Sequence, residues 1–188
     1  MNLKTIIAGA LLAGTITSAQ AADYVIDTGH ASVSFRIQHL GYSWLEGRFN
    51  DFSGQFSYDA ANPSASKITV NINTPSIDSN HAERDKHIRG DDFLAVKDFP
   101  EAKFESTSFT PAADGSAVLS GNLTLHGVTK AIDIQVSKVG EGKDPWGGYR
   151  AGFTGTTQLN LKDFDINYNL GPASESVYLN LNVEGIRQ

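Results

Sequence analysis

The chain of 188 residues has 40% hydrophobic residues, 19% charged residues and a formal net charge of -6, an ordinary globular balance with room for one domain. Lysine and arginine total 15 against 21 aspartates and glutamates, so the even basic coat that releases counterions from a phosphate backbone is missing, and nucleic acid is not an expected partner. The absence of cysteine removes disulfide frameworks, thiolate zinc sites and cysteine nucleophiles, which leaves oxygen, imidazole and apolar groups to carry the function.

The first residues form a transport signal by composition. Lys4 supplies a positive start, Thr5 to Ile16 is apolar and small, and Ser18-Ala19-Gln20-Ala21 places small residues at a cleavage site. A membrane anchor needs about 20 apolar residues, and Gly9, Gly14, Thr15 and Thr17 interrupt a run that is already shorter. The expectation is a signal peptide over 1–21 cut after Ala21, export to the periplasm, and a single domain over 22–188 with no integral membrane span.

From there the apolar residues recur at every second position, the spacing of a strand with one face in a core and one in water. Val33, Phe35 and Ile37 alternate with Ser32, Ser34, Arg36 and Gln38. Weaker alternation runs from Trp44 to Tyr58, where Leu45, Gly47 and Phe49 share one parity and Phe52, Gly54, Phe56 and Tyr58 the other. A strand changes face only by an extra residue, so a bulge is expected near Asn50 to Ser53. Ile68, Val70 and Ile72 mark the next strand, followed by Ala102 to Thr110, Val118 to Leu125, Ile132 to Val136, Tyr149 to Leu161 and Val177 to Val183. Turn signals at Asn62-Pro63, Ala113-Asp114-Gly115, His126-Gly127 and Asp144-Pro145-Trp146-Gly147-Gly148 separate them. The resulting class is all-β. About eight long antiparallel strands with short turns and internal glycines favour a closed barrel over a sandwich, because closure hides every edge. A barrel of that size is either filled by side chains or holds one small ligand.

One segment breaks the alternation. Ser76 to Gly90 is dense in charge, and Asn80 as cap, Glu83 three residues later and Gly90 as terminator predict a short helix around 80–90. Phe93, Leu94 and Phe99 follow it and are expected to plug or line one end of the barrel. His81, Asp85 and His87 are close in sequence, but two zinc-binding histidines on a helix stand four residues apart and these stand six apart, so no metal is expected. No Gly-x-Ser-x-Gly elbow occurs either. Arg84 beside Asp85 reads either as an ion pair fixing the helix to the rim or as an anion contact for a phosphate or carboxylate head group. Phe35, Ile37, Phe49, Phe56 and Phe104 read as core that becomes a binding wall only if a volume is left between them.

Taken together, Phe35-Arg36-Ile37-Gln38-His39-Leu40-Gly41, the Ser76 to Gly90 segment with Arg84-Asp85-Lys86-His87, Asp92-Phe93, Phe99-Pro100, Gly121 to Lys130 and Lys162-Asp163-Phe164 resemble the YceI-like family of exported, lipocalin-like barrels. The resemblance runs from Ala22 to the C-terminus. It implies an eight-stranded antiparallel barrel that takes a polyisoprenoid or similar long-chain lipid into its lumen, with no cofactor and no catalysis. It further implies that His39 and the Arg84, Asp85 and His87 group lie near the mouth, and that Phe35, Ile37, Trp44 and Phe93 form wall or rim. Where many relatives have Gly after the Asp-Phe of the late motif, this chain has Asp165. A rival expectation is an enzyme acting on a bound quinone or lipid head through His39, Asp85 and His87. A homodimer is left open, and so is a filled barrel that works through protein contacts.

Overall fold

The computed structural model describes residues 21–188; the expected signal peptide lies outside the described residues except for Ala21. The strands are β1 (Ala22–Ile26), β2 (Ser32–His39), β3 (Ser43–Phe49), β4 (Phe52–Tyr58), β5 (Lys67–Asn73), β6 (Ile77–Asp78), β7 (Glu101–Pro111), β8 (Ser116–Leu125), β9 (Val128–Lys143), β10 (Tyr149–Asn160) and β11 (Ser176–Arg187), with one helix, α1 (Ala82–Ile88). All pairings are antiparallel and belong to one sheet.

The eleven segments make eight rows. β1 and β2 lie end to end along the same neighbour, since β11 pairs with β2 through Val177 to Asn182 and with β1 through Gly185 to Arg187. β3 and β4 form the second row, broken at Asn50 and Asp51, and β5 and β6 form the third. The break at Asn50-Asp51 is where the parity of the apolar residues changes. Leu45, Gly47 and Phe49 face Ile37, Phe35 and Val33, and beyond the break Phe52 and Phe56 turn to the same interior. The chain then runs β7 to β11 as a meander, and β11 meets β1 and β2 to close an eight-stranded antiparallel barrel.

Glycines open the interior at chosen points. An added Cβ at Gly47 would stand 2.4 Å from the Phe35 ring, at Gly121 2.4 Å from Phe104, and at Gly185 2.4 Å from Phe56. Each of these rings therefore lies over a glycine, where any side chain would displace it. Three of the expected wall residues owe their placement to this device.

The connections at one end, residues 40–42, 79–100, 126–127 and 161–175, include the helix and two 3-10 turns; those at the far end, 59–66, 112–115 and 144–148, hold one 3-10 turn and none exceeds eight residues. The helix has two turns and starts one residue later than the sequence predicts. Asn80 adopts φ 62°, outside the range of a cap, so His81 caps instead, its Nδ1 accepting from the Arg84 amide at 3.3 Å. Gly90 does not take the left-handed conformation; Arg89 ends the helix in right-handed geometry, and its guanidinium reaches back to the Pro75 carbonyl at 2.8 Å and to that of Ile77. That clamp replaces glycine termination, because charged hydrogen bonds to the carbonyls of Pro75 and Ile77 hold the last turn in place.

Candidate functional site

The lumen is not filled. A compartment of about 340 Å³ lies under the helix-bearing end, and one of about 130 Å³ lies deeper. Both are lined almost wholly by carbon, and Val33, Ile72, Leu123 and Leu179 line both, which marks a waist between them. The larger one falls in the roughly 300–1,000 Å³ range of small-molecule sites. The smaller one is close to the roughly 150 Å³ of an apolar hole that stays dry and takes up a small hydrocarbon.

Phe35, Ile37, His39, Phe49, Arg84, His87 and Phe93 all line the larger compartment. Phe56 and Phe104 line the deeper one, which extends the wall rather than the mouth. Trp44 does not line either. It pairs with Gln38 in the outward register, and its ring packs edge-on against Tyr178 at 5.5 Å with the Arg36 guanidinium 4.6 Å above it. The expectation of Trp44 as wall or rim is corrected as to the wall on that ground: Leu45 and Phe49 face inward, so the neighbour of Leu45 must face out. Asp85 also leaves the mouth. It is buried and accepts from the Ser79 amide at 2.8 Å and from the Ser79 hydroxyl, tying α1 to the segment after β6.

Arg84 and Asp85 are not partners of one another. Arg84 gives Nε to the Ser79 hydroxyl at 2.7 Å and Nη2 to the Ser79 carbonyl, while its side chain still borders the compartment. His87 bonds Asp92 at 2.9 Å and meets the rings of Phe93 at 5.0 Å and Tyr168 at 5.3 Å, edge-on in both cases. The three groups of the enzymatic alternative are thus engaged separately: His39 and His87 border the cavity, whereas the Asp85 carboxylate is spent on Ser79. The arrangement offers an apolar enclosure with a few polar groups at one opening, which suits burial of a hydrocarbon and orientation of its head.

Ile166, Tyr168 and Leu170 complete the wall. They follow the 3-10 turn Leu161–Phe164 outside any strand, yet they alternate with Asn167 and Asn169 at period two, a signal that the sequence reading missed because it ended that strand at Leu161. Asp165 ends that turn at φ 57°, the left-handed conformation that glycine takes most easily. The turn is made despite the missing glycine, and it delivers Tyr168 to the rim.

A second charged cluster lies away from the cavity. Arg150 Nη1 donates to Asp27 at 2.6 Å and to Glu184 at 2.5 Å, and Nε donates to Asp144 at 3.0 Å. These bonds, the one from Arg150 first and that from His30 next, hold the Asp27 carboxyl well down, at about 2. Asp27, His30 and Glu184 stand close enough to hold a metal ion, but the Arg150 guanidinium already donates to both carboxylates. No further metal cluster occurs among the described residues.

A closed antiparallel barrel with an apolar cavity under a sparsely polar opening defines the class: a lipocalin-like β-barrel built around an internal cavity. The YceI-like domain matches residues 24–185, and the chain belongs to that family. A UPF0312 protein of Shewanella sp. strain ANA-3 is 59% identical, covering 99% of this chain and 97% of the relative. Among solved structures, BcnA of Burkholderia cenocepacia superposes with a TM-score of 0.75 at 21% identity, covering 85% of this chain and 98% of that one. A polyisoprenoid binding domain from Saccharophagus degradans superposes with a TM-score of 0.66 at 16% identity, covering 90% of this chain and all of that one. At those identities the two structures establish the likeness of fold.

Proposed function

We propose that this protein binds a polyisoprenoid or a similar long-chain amphiphilic lipid in the barrel lumen, and carries or stores it in the periplasm after export, without covalent chemistry. The observation that carries this reading is the pair of adjacent apolar compartments, the larger bordered by His39, Arg84 and His87. Membership of the YceI-like family supports it, and so does the fold shared with a polyisoprenoid binding domain. A tail of about 40 carbons at roughly 0.3 kcal/mol per atom sets an upper limit near 12 kcal/mol, about nanomolar affinity. Tail burial dominates that sum, and the opening selects the head.

Native mass spectrometry of the protein from its own compartment, followed by organic extraction, tests the reading. A stoichiometric isoprenoid mass is expected; a clean protein mass, unshifted after incubation with polyprenols, overturns it. For the head, Arg84→Ala is expected to weaken a polyprenyl phosphate by about 1.5–3 kcal/mol and to leave the polyprenol unchanged. Equal loss for both would assign Arg84 to the fold through Ser79.

A further inference from the structure

Seven large hydrophobic side chains are exposed among the described residues, and four of them gather at the cavity's end of the barrel: Leu40 at 51%, Tyr42 at 87%, Trp44 at 43% and Tyr168 at 45%. They are contiguous with the opening. Leu40 and Tyr42 form the β2–β3 turn directly after His39, which borders the cavity, and Tyr168 itself lines it. The turn also leans on the 165–175 connection, since Gly41 approaches Ala173 and the Ser174 hydroxyl donates to the Gln38 carbonyl at 2.6 Å.

Stability does not explain Leu40. It holds φ 51° in a turn closed by the Tyr42 amide on the His39 carbonyl at 2.9 Å, so a leucine occupies the left-handed position that asparagine or glycine fills without strain. The backbone strain and the exposed isobutyl group act against the fold together, and entry of the side chain into an apolar phase removes the second cost and offsets the first. Tyrosine and tryptophan rings with one wet edge are the side chains that settle at a bilayer interface. Arg36, stacked on Trp44, adds a cation at the same level for lipid phosphates. The chain's net charge of -6 disfavours an anionic surface and leaves a zwitterionic one.

We infer that Leu40, Tyr42, Trp44 and Tyr168 form a collar that docks the open end of the barrel on a zwitterionic lipid bilayer, so that cargo passes between membrane and lumen without crossing water. The inference rests on the lipid-binding reading above. It adds a surface, a partner and an orientation.

The two tryptophans of the sequence report the orientation separately, because Trp146 stands in the β9–β10 turn at the far end. In the Trp146→Phe variant, phosphatidylcholine vesicles should shift Trp44 emission to the blue, and brominated acyl chains should quench it. In Trp44→Phe, the emission of Trp146 should not move. The double variant Leu40→Asn with Tyr42→Ser should partition about tenfold more weakly, equivalent to roughly 1.4 kcal/mol of lost apolar burial. It should pass a fluorescent polyprenyl analogue to vesicles correspondingly more slowly, take up the analogue from detergent micelles as the wild type does, and unfold at no lower temperature. Trp44 emission unmoved by vesicles, or wild-type partition of the double variant, overturns the collar. Trp44 emission that responds to a purified envelope protein but not to lipid overturns it as well and reassigns the surface. Failure of the wild type to take up the analogue from micelles would instead remove the lipid-binding reading, and the vesicle response would still decide the collar.

Discussion

The two ends of the barrel use the same residue types for opposite ends. At the far end Tyr24 stacks on Phe56 at 4.8 Å, Phe56 meets Phe153 edge-on at 5.8 Å, and Phe153 meets Tyr58 at 5.1 Å, so linked rings border the smaller compartment. Outside them, Arg150 gathers Asp27, Asp144 and Glu184 into a clamp between β1, β10 and β11. At the open end Phe35 has one tilted aromatic neighbour, Phe49 at 6.0 Å, and both rings border the larger compartment. A lumen ringed by aromatic residues is thus narrower or wider according to whether the rings touch each other, not according to composition.

Alanine in place of two glycines makes that contrast measurable. Gly185→Ala drives a Cβ to 2.4 Å from Phe56 and 2.9 Å from the Tyr24 Cβ, with the ring held on its other side by Phe153, and should cost about 3 kcal/mol in urea unfolding. Asp85→Ala strips the buried Ser79 amide and hydroxyl of their acceptor and should cost about 2 kcal/mol, with Asp85→Asn recovering part of it. Gly47→Ala meets Phe35 at the same 2.4 Å, but that ring can swing into the cavity. Its expected cost is only about 1 kcal/mol, and lipid uptake should fall because the ring then occupies the lumen.

The charged clamp gives a smaller effect, because water screens it. The Asp27 pKa is lowered from 3.8 to about 2 in the folded chain, so its contribution is full above the unfolded value and is lost as pH falls from about 3.8 through about 2. Asp27→Asn should therefore flatten the unfolding midpoint against pH in that acid window and nowhere above it. Smallest of all, Asp165→Gly relieves a left-handed aspartate at φ 57° and should raise stability by about 0.5 kcal/mol, read from the melting temperature.

Much of the barrel was legible because a strand's periodicity is local: Val33, Phe35 and Ile37 declare their face without reference to any other segment. The same local rule, followed through from Leu45 and Phe49, already turns Trp44 outward; grouping it with the wall set the family resemblance against the parity. His39, Arg84 and His87 could be picked out from short motifs, yet their sequence could not say that Asp85, one residue from Arg84, is buried against Ser79 instead. Tyr168 and Leu170 continue a period-two alternation from Phe164 and Ile166, but no strand pairing follows from it, and Arg150 finds Asp27 across 123 positions, a distance no motif spans.

By itself the sequence determined the all-β class, the row count and the change of face near Asn50, because each follows from the alternation of side chains along a pleated backbone. Only the tertiary structure decided that the lumen is open. An empty volume is a property of how Phe35, Phe56 and Phe104 lie over Gly47, Gly185 and Gly121 on other segments, and it exists only once the strands have closed around it.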